Sequence, residues 1–167
     1  MWAIDCYYCI NFHAIYFTGV MQMEIIKALS SLHNKRERLA LLINYETYIS
    51  TENLSEISFI NIGQQLSERL LLLPEQNRGV YASDLFSEII QSHESELIGL
   101  RRLEILFDKS LAIDPLKLLL QNSRDKTIVA VWPGYFDRKV GLTYAQPSHP
   151  EYKFYRYQDI KDLIIEI

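Results

Sequence analysis

Leu39-Ala40-Leu41-Leu42-Ile43 is a run of apolar residues with no polar position in it. Such a run is too short for a helix, and a strand exposed on one face would alternate. It therefore predicts a strand covered on both faces, as in a parallel sheet. Upstream, Ile25, Ile26, Leu29 and Leu32 recur at three- and four-residue spacing, which predicts an amphipathic helix over Glu24 to Arg38 that ends at its basic residues. Downstream, the polar stretch Thr51 to Glu56 predicts one or two helical turns, and Ser58-Phe59-Ile60-Asn61-Ile62 a second strand ending at Gly63.

Beyond that point Leu66, Leu70, Leu71 and Leu73 mark a helix that Pro74 stops. Glu75-Gln76-Asn77-Arg78-Gly79 reads as a loop, after which Ser83 or Asp84 caps a helix running to Ile90. Leu97 to Leu100 and Leu103 to Phe107 give a third strand with a continuation, interrupted by Arg101-Arg102. Asp114-Pro115 opens the next helix, with Asp as cap, Pro at the first helical position, and Leu116, Leu119 and Leu120 facing inward. Thr127 to Trp132 is a β-branched, apolar strand that Pro133-Gly134 ends. Lys139 to Gln146 reads as an exposed edge strand, Pro147 to Pro150 as a turn, and Tyr152 to Ile167 as a closing strand and amphipathic helix. Strands alternating with helices predict a three-layer α/β fold with a mostly parallel sheet and right-handed crossovers. Ligands of such sheets sit at the carboxyl ends of the strands, which points to the residues just after Ile43, Ile62, Leu100 or Phe107, and Val131.

The chain has 167 residues, 49% apolar and 23% charged, which fits one globular domain and excludes a disordered or collagen-like class. The net charge of -4 gives no global field that would recruit a polyanion. Cys6 and Cys9 are too close in sequence to staple a fold, so packing must stabilise it and the cytoplasm is the expected compartment. The first twenty residues are aromatic and mostly apolar, yet Asp5, Asn11 and His13 fall inside any membrane-spanning window and no basic flank precedes them. No membrane partner is expected. Two readings of residues 1–22 stand: an N-terminal aromatic extension, or sequence upstream of a true start at Met21 or Met23, which leaves 23–167 as the domain.

A phosphate-binding P-loop has the form G-x-x-x-x-G-K-[ST] directly after a buried strand. Its glycines let backbone N–H groups curl around phosphate, its lysine neutralises charge, and its hydroxyl binds Mg²⁺. The window after Ile43 is Asn44-Tyr45-Glu46-Thr47-Tyr48-Ile49-Ser50-Thr51. Thr51 fits; Asn44 and Ile49 stand where glycine is needed and Ser50 where lysine is needed.

Several blocks give that window meaning. They are Phe59-Ile60-Asn61-Ile62 followed by Leu66-Ser67-Glu68-Arg69-Leu70-Leu71, then Leu103-Glu104-Ile105-Leu106-Phe107-Asp108 and Asp114-Pro115-Leu116-Lys117-Leu118-Leu119. The most specific are Val131-Trp132-Pro133-Gly134, Leu142-Thr143-Tyr144-Ala145-Gln146-Pro147 and His149-Pro150-Glu151-Tyr152. In these blocks, from Leu39 to Tyr155, the chain resembles the BrxF family, small P-loop proteins of type 3 BREX phage-exclusion systems. The resemblance implies a P-loop NTPase-like domain, and in that family ATP and Mg²⁺ as ligands. It makes Asn44, Ile49, Ser50 and Thr51 a vestigial phosphate loop. It also aligns Arg101, with Glu104 and Trp132 nearby, with the Walker B position that should carry a Mg²⁺-coordinating Asp.

A cation at that place repels Mg²⁺, and Glu46 and Glu52 beside the loop disfavour phosphate. Without lysine and metal carboxylate, phosphoryl transfer loses the electrostatic stabilisation on which it depends, so no catalytic residue and no bound cofactor are expected. The resemblance then implies a non-catalytic accessory subunit that acts through contacts with other phage-defence subunits, with DNA reached through the complex. Two alternatives stand beside it: an ATP-binding switch with an unorthodox loop, and a DNA-binding subunit.

Other signals are less specific. Cys6-x-x-Cys9 with His13 has partial zinc spacing, but a structural site needs four ligands and only His33 is near in sequence. His13, His33, His93 and His149 are scattered and read as surface or turn residues. The basic groups Lys35/Arg36/Arg38, Arg101/Arg102, Arg124/Lys126 and Arg138/Lys139 are ordinary solvated charge unless they converge on one face with Tyr135 and Phe136. Tyr144, Tyr152, Phe154, Tyr155 and Tyr157 fit an adhesive interface or a cap on the sheet, and Trp132 fits either strand termination or partner contact.

Overall fold

The computed structural model describes Ile25, Lys27 and residues 29–43 and 57–166. The apolar runs do form a buried sheet. Strands β1 (Leu39–Ile43), β2 (Ser58–Asn61), β3 (Leu97–Arg101), β4 (Thr127–Val131) and β8 (Ile164–Glu166) make a five-stranded sheet in the order β2-β3-β4-β1-β8. Every pairing in it is parallel. Strands β5 (Tyr135–Asp137), β6 (Gly141–Tyr144) and β7 (Lys153–Arg156) form a separate antiparallel sheet inserted between β4 and β8.

Both faces of the parallel sheet are covered, which is why β1 and β4 carry no polar alternation. On one face Leu39, Leu41, Ile43, Ile98, Leu100, Ile128 and Ala130 meet the helices α1 (Ile62–Leu71), α2 (Glu75–Ser92) and α3 (Pro115–Asn122). On the other, Ala40, Leu42, Val129, Val131 and Ile165 meet Ile25 and Leu32 of the first helical segment, together with Ile57. The α/β class with a mostly parallel, three-layer sheet is thus present. The polar stretch 51–56, with its expected helical turns, and residues 1–22 lie outside the described residues.

Several sequence expectations need correction, the first being that the helix expected to run to Arg38 stops at Leu32, before a turn at His33 and Asn34. Ile62 begins α1 rather than ending β2, because the Asn61 side chain accepts a hydrogen bond from Gln64 N–H at 3.1 Å and caps the helix. Glu75 to Gly79 is the first part of α2, not a loop. Pro74 at the N-cap sets the entry, Arg78 Nε donates to the Leu70 carbonyl, and Gly79 marks close packing, since a Cβ there would lie 2.6 Å from the Ser110 carbonyl oxygen. One helix therefore replaces the cap expected at Ser83 or Asp84.

Leu103 to Phe107 is a 3-10 helix and not a continuation of β3. Arg102 has φ 58, which turns the chain, and Leu103 and Leu106 are then buried at three-residue spacing. Last, the Lys139 to Gln146 stretch supplies β6, the central strand of the small sheet rather than an edge, and the expected terminal helix is the single turn α4 (Tyr157–Ile160) before β8. The Asp114 cap was legible: its carboxylate accepts from Lys117 N–H at 2.9 Å.

Candidate functional site at the carboxyl end of the parallel sheet

The strand order fixes where a ligand or partner can approach. β2 follows β1 in sequence but lies beyond β4 and β3, whereas β8, the next strand of this sheet after β4, lies beyond β1. A reversal of connection direction between adjacent strands points to their carboxyl ends, here those of β1 and β4, as the place where a ligand is expected. The segment leaving β1 carries Asn44, Ile49, Ser50 and Thr51, with Glu46 and Glu52, and lies outside the described residues. Arg101, Glu104 and Trp132 are described, and the structure separates their roles.

Arg101 ends β3. It pairs with Asn61 of β2, and continuing the β3–β4 register by one residue sets it beside Val131, which pairs with Leu42, which in turn pairs with Ile165. Leu42, Val131 and Ile165 belong to the face covered by Ile25 and Leu32, and strand alternation puts Arg101 on that same face. A guanidinium thus shares a row with aliphatic side chains. Its Nε is buried and has no hydrogen-bond partner among the described residues. Asn61 offers no relief, because its side-chain oxygen already caps α1.

Sequence reading placed Arg101 here but missed Asn61, whose signal was an amide ending an apolar strand. The following Arg102 is left-handed and lies against α1, with a Cβ on Gly63 falling 3.1 Å from the Arg102 carbonyl oxygen. Glu104 pairs with Arg102 at 3.7 Å with both side chains largely exposed, an interaction worth little in stability.

Trp132 is a structural anchor. It is 4% exposed, and its indole N–H donates to the Thr143 carbonyl at 2.9 Å, which ties the small sheet to β4. Its ring meets Phe107 edge-on at 5.3 Å and Tyr155 edge-on at 5.7 Å, while Phe107 stacks on Tyr144 at 3.8 Å. The Tyr155 hydroxyl donates to the Asp114 carboxylate at 3.2 Å. Burial first, and the neighbouring Asp114 carboxylate second, push the Tyr155 hydroxyl well above its ordinary ionisation range. Tyr144 and Tyr155 therefore cap the sheet from inside, and Phe154, 42% exposed, faces out.

A magnesium nucleotide does not fit the described part of this end. Mg²⁺ takes hard oxygen ligands, and the carboxyl end of β3 carries Arg101. Among the described residues no three His, Cys, Asp or Glu side chains are close enough to hold a metal ion. Cys6, Cys9 and His13 lie outside the described residues; His33 and His93 are far apart in the fold's sequence order, and His149 Nδ1 accepts from Glu151 N–H at 3.2 Å within its turn.

The basic groups do not converge. Arg38, Arg124 and Lys126 cluster at the amino ends of β1 and β4, where Arg38 donates to the Asp125 carbonyl at 2.8 Å, Arg124 pairs with Glu37 at 2.8 Å and Lys126 donates to the Ser95 carbonyl at 3.0 Å. Arg101 and Arg102 are at the opposite end of the sheet. Arg138 makes a two-pronged ion pair with Glu166 of β8 at 2.8 Å. Among the described residues no helix is long and apolar enough to cross a membrane. No family model matches this chain, and no curated protein and no solved structure matches it.

Proposed function

We propose that this chain is a non-catalytic accessory subunit of a BREX-type phage-defence system, a P-loop-like domain that acts through protein contacts at the carboxyl end of its sheet. The observation that carries the reading is Arg101: a guanidinium with a buried, unpartnered Nε at the end of β3, in the row that also holds Val131 and Leu42. A metal-dependent phosphotransferase needs a carboxylate at that place, and a cation there defeats the charge neutralisation on which the reaction rests. The strand order supports the fold part of the reading, since it sets β1 centrally, between β4 and β8. An unsatisfied buried donor costs stability, and such groups persist where function uses them.

Calorimetric titration of the full chain with Mg-ATP tests the reading, with no saturable heat expected at millimolar nucleotide. Saturable binding would transfer the assignment to an ATP-dependent switch. Affinity capture from cells carrying the neighbouring defence genes is expected to recover a stoichiometric partner that Arg101→Glu releases. A chain that stays monomeric and partnerless in that experiment refutes the docking role.

A further inference from the structure

The small antiparallel sheet buries one face and leaves the other open. Phe136, Leu142, Tyr144 and Tyr155 turn inward against the core. By strand alternation the opposite face presents Tyr135 and Asp137 from β5, Gly141 and Thr143 from β6, and Phe154 and Arg156 from β7. Tyr135 pairs with Thr143 and Thr143 pairs with Phe154, so two aromatic rings flank a small residue in one register row. Both are exposed, Tyr135 to 68% and Phe154 to 42%. Strands two apart set their backbones about 10 Å from each other, so each ring serves its own base.

The face is rigid. Trp132 fixes the Thr143 carbonyl from below, and a Cβ on Gly134 would fall 1.8 Å from that same oxygen. Gly141, at φ 139, lies so close to the Tyr155 carbonyl that only glycine fits the centre of the next row. That row is left open between Asp137 and Arg156.

The chain carries a net -4, and the cations at this face are Lys139 of the β5–β6 turn and Arg156, since Arg138 is held by Glu166 and Lys153 shares the inward row of Tyr144. The Asp137 carboxylate is engaged by Lys139 N–H at 2.7 Å within the β5–β6 turn. Arg156 pairs with Asp159 at 3.0 Å, but both side chains are more than half exposed, so a phosphate can replace the carboxylate at little cost.

We infer that this open face binds single-stranded nucleic acid, with bases stacking on Tyr135 and Phe154 and phosphates held by Lys139 and Arg156. Exposed rings on a sheet with cations beside them form a stacking platform for unpaired bases, and a duplex hides those base faces in its own stack. A protein interface fits the face less well. The apolar row is broken by Thr143 and bounded by charge, and lysine is depleted at protein interfaces. The Thr143 hydroxyl donates to the Tyr135 carbonyl at 3.2 Å and is not available to a sugar, and stacking reads the base face that DNA and RNA share, so both strands should bind.

The test is fluorescence anisotropy of labelled oligo-dT and oligo-rU against the full chain at low salt, with a duplex of equal length beside them. Both single strands are expected to bind, the duplex more weakly, and affinity to fall as salt rises. Tyr135→Ala and Phe154→Ala should each weaken binding roughly 5- to 150-fold, the fold-change of one lost base stack. Tyr135→Phe and Phe154→Tyr keep the ring and should retain binding, and Lys139→Glu should weaken it without touching the sheet. Tyr81→Ala, at a ring 47% exposed on α2, should leave it unchanged. No binding of either strand at low salt overturns the inference. Equal binding of the duplex, or full binding by the folded double variant, does so too. Loss of a captured protein partner in Tyr135→Ala/Phe154→Ala, with no anisotropy change for either oligonucleotide, assigns the face to protein and likewise overturns it.

Discussion

Trp132→Ala separates an anchor from a binding residue. The side chain is 4% exposed, and its removal opens a cavity at the junction of the two sheets, for which large aromatic deletions cost about 3–5 kcal/mol. Two edge-on ring contacts, with Phe107 at 5.3 Å and Tyr155 at 5.7 Å, push the cost to the upper part of that range. The Thr143 carbonyl also loses its donor at 2.9 Å, an effect of about 1–3 kcal/mol if water does not replace the indole. These effects overlap, and a total of about 5 kcal/mol is expected, against the roughly 5–15 kcal/mol that holds a domain together.

Trp132→Phe keeps most of the ring and loses mainly the hydrogen bond, for about 2 kcal/mol. Urea unfolding followed by far-ultraviolet circular dichroism measures both, and the Ala variant should lower the midpoint by about 2 M or more at the m-values of small domains. A cost below about 1 kcal/mol for Trp132→Ala, with partner capture lost, refutes the anchor role and returns Trp132 to the binding surface.

Gly79→Ala should destabilise by about 1–3 kcal/mol although alanine is the better helix former, because the new Cβ meets the Ser110 backbone carbonyl at 2.6 Å; a raised melting temperature refutes that packing. Tyr155 holds its proton more tightly in the folded chain than in the unfolded one, so its contribution is fully present below about pH 10 and is lost as pH rises beyond it. Urea midpoints at about pH 8 and about pH 11 should therefore differ less in Tyr155→Phe than in the parent. Arg101→Met replaces an unpartnered buried Nε by a flexible apolar chain beside Val131 and Leu42 and should raise stability by about 1 kcal/mol while abolishing partner capture; a loss of stability refutes the account of that row.

The strands β1 and β4 were legible because burial on both faces removes every polar residue, and so was the Asp114-Pro115 helix start, whose cap is a local hydrogen bond. What sequence missed depends on distant neighbours. Gly79 read as a turn because its reason for being glycine is Ser110, which only the fold brings beside it. Leu103 to Phe107 looked like strand because a short apolar run does not declare its period, and a single left-handed residue, Arg102, decided it. β6 read as an edge because its partner β7 follows a turn rich in proline and serine, and β8 was hidden because a three-residue strand has too few positions to show alternation. At the site, Arg101 could be placed after an apolar strand from sequence, whereas Asn61 and the row joining it to Val131, Leu42 and Ile165 exist only through strand register.

That row also sets Arg101 apart from Trp132. A side chain that only stabilises should be satisfied, as Trp132 is by the Thr143 carbonyl and its ring neighbours. Arg101 is on a face built from aliphatic residues and keeps a buried donor without a partner among the described residues. Packing alone would favour an aliphatic residue there, as at Leu42, Val131 and Ile165 in the same row. The desolvation cost of that N–H is offset only by an acceptor outside the described residues. On the docking role proposed above, an acidic or carbonyl-rich partner surface at this end supplies that acceptor, which Mg²⁺ cannot.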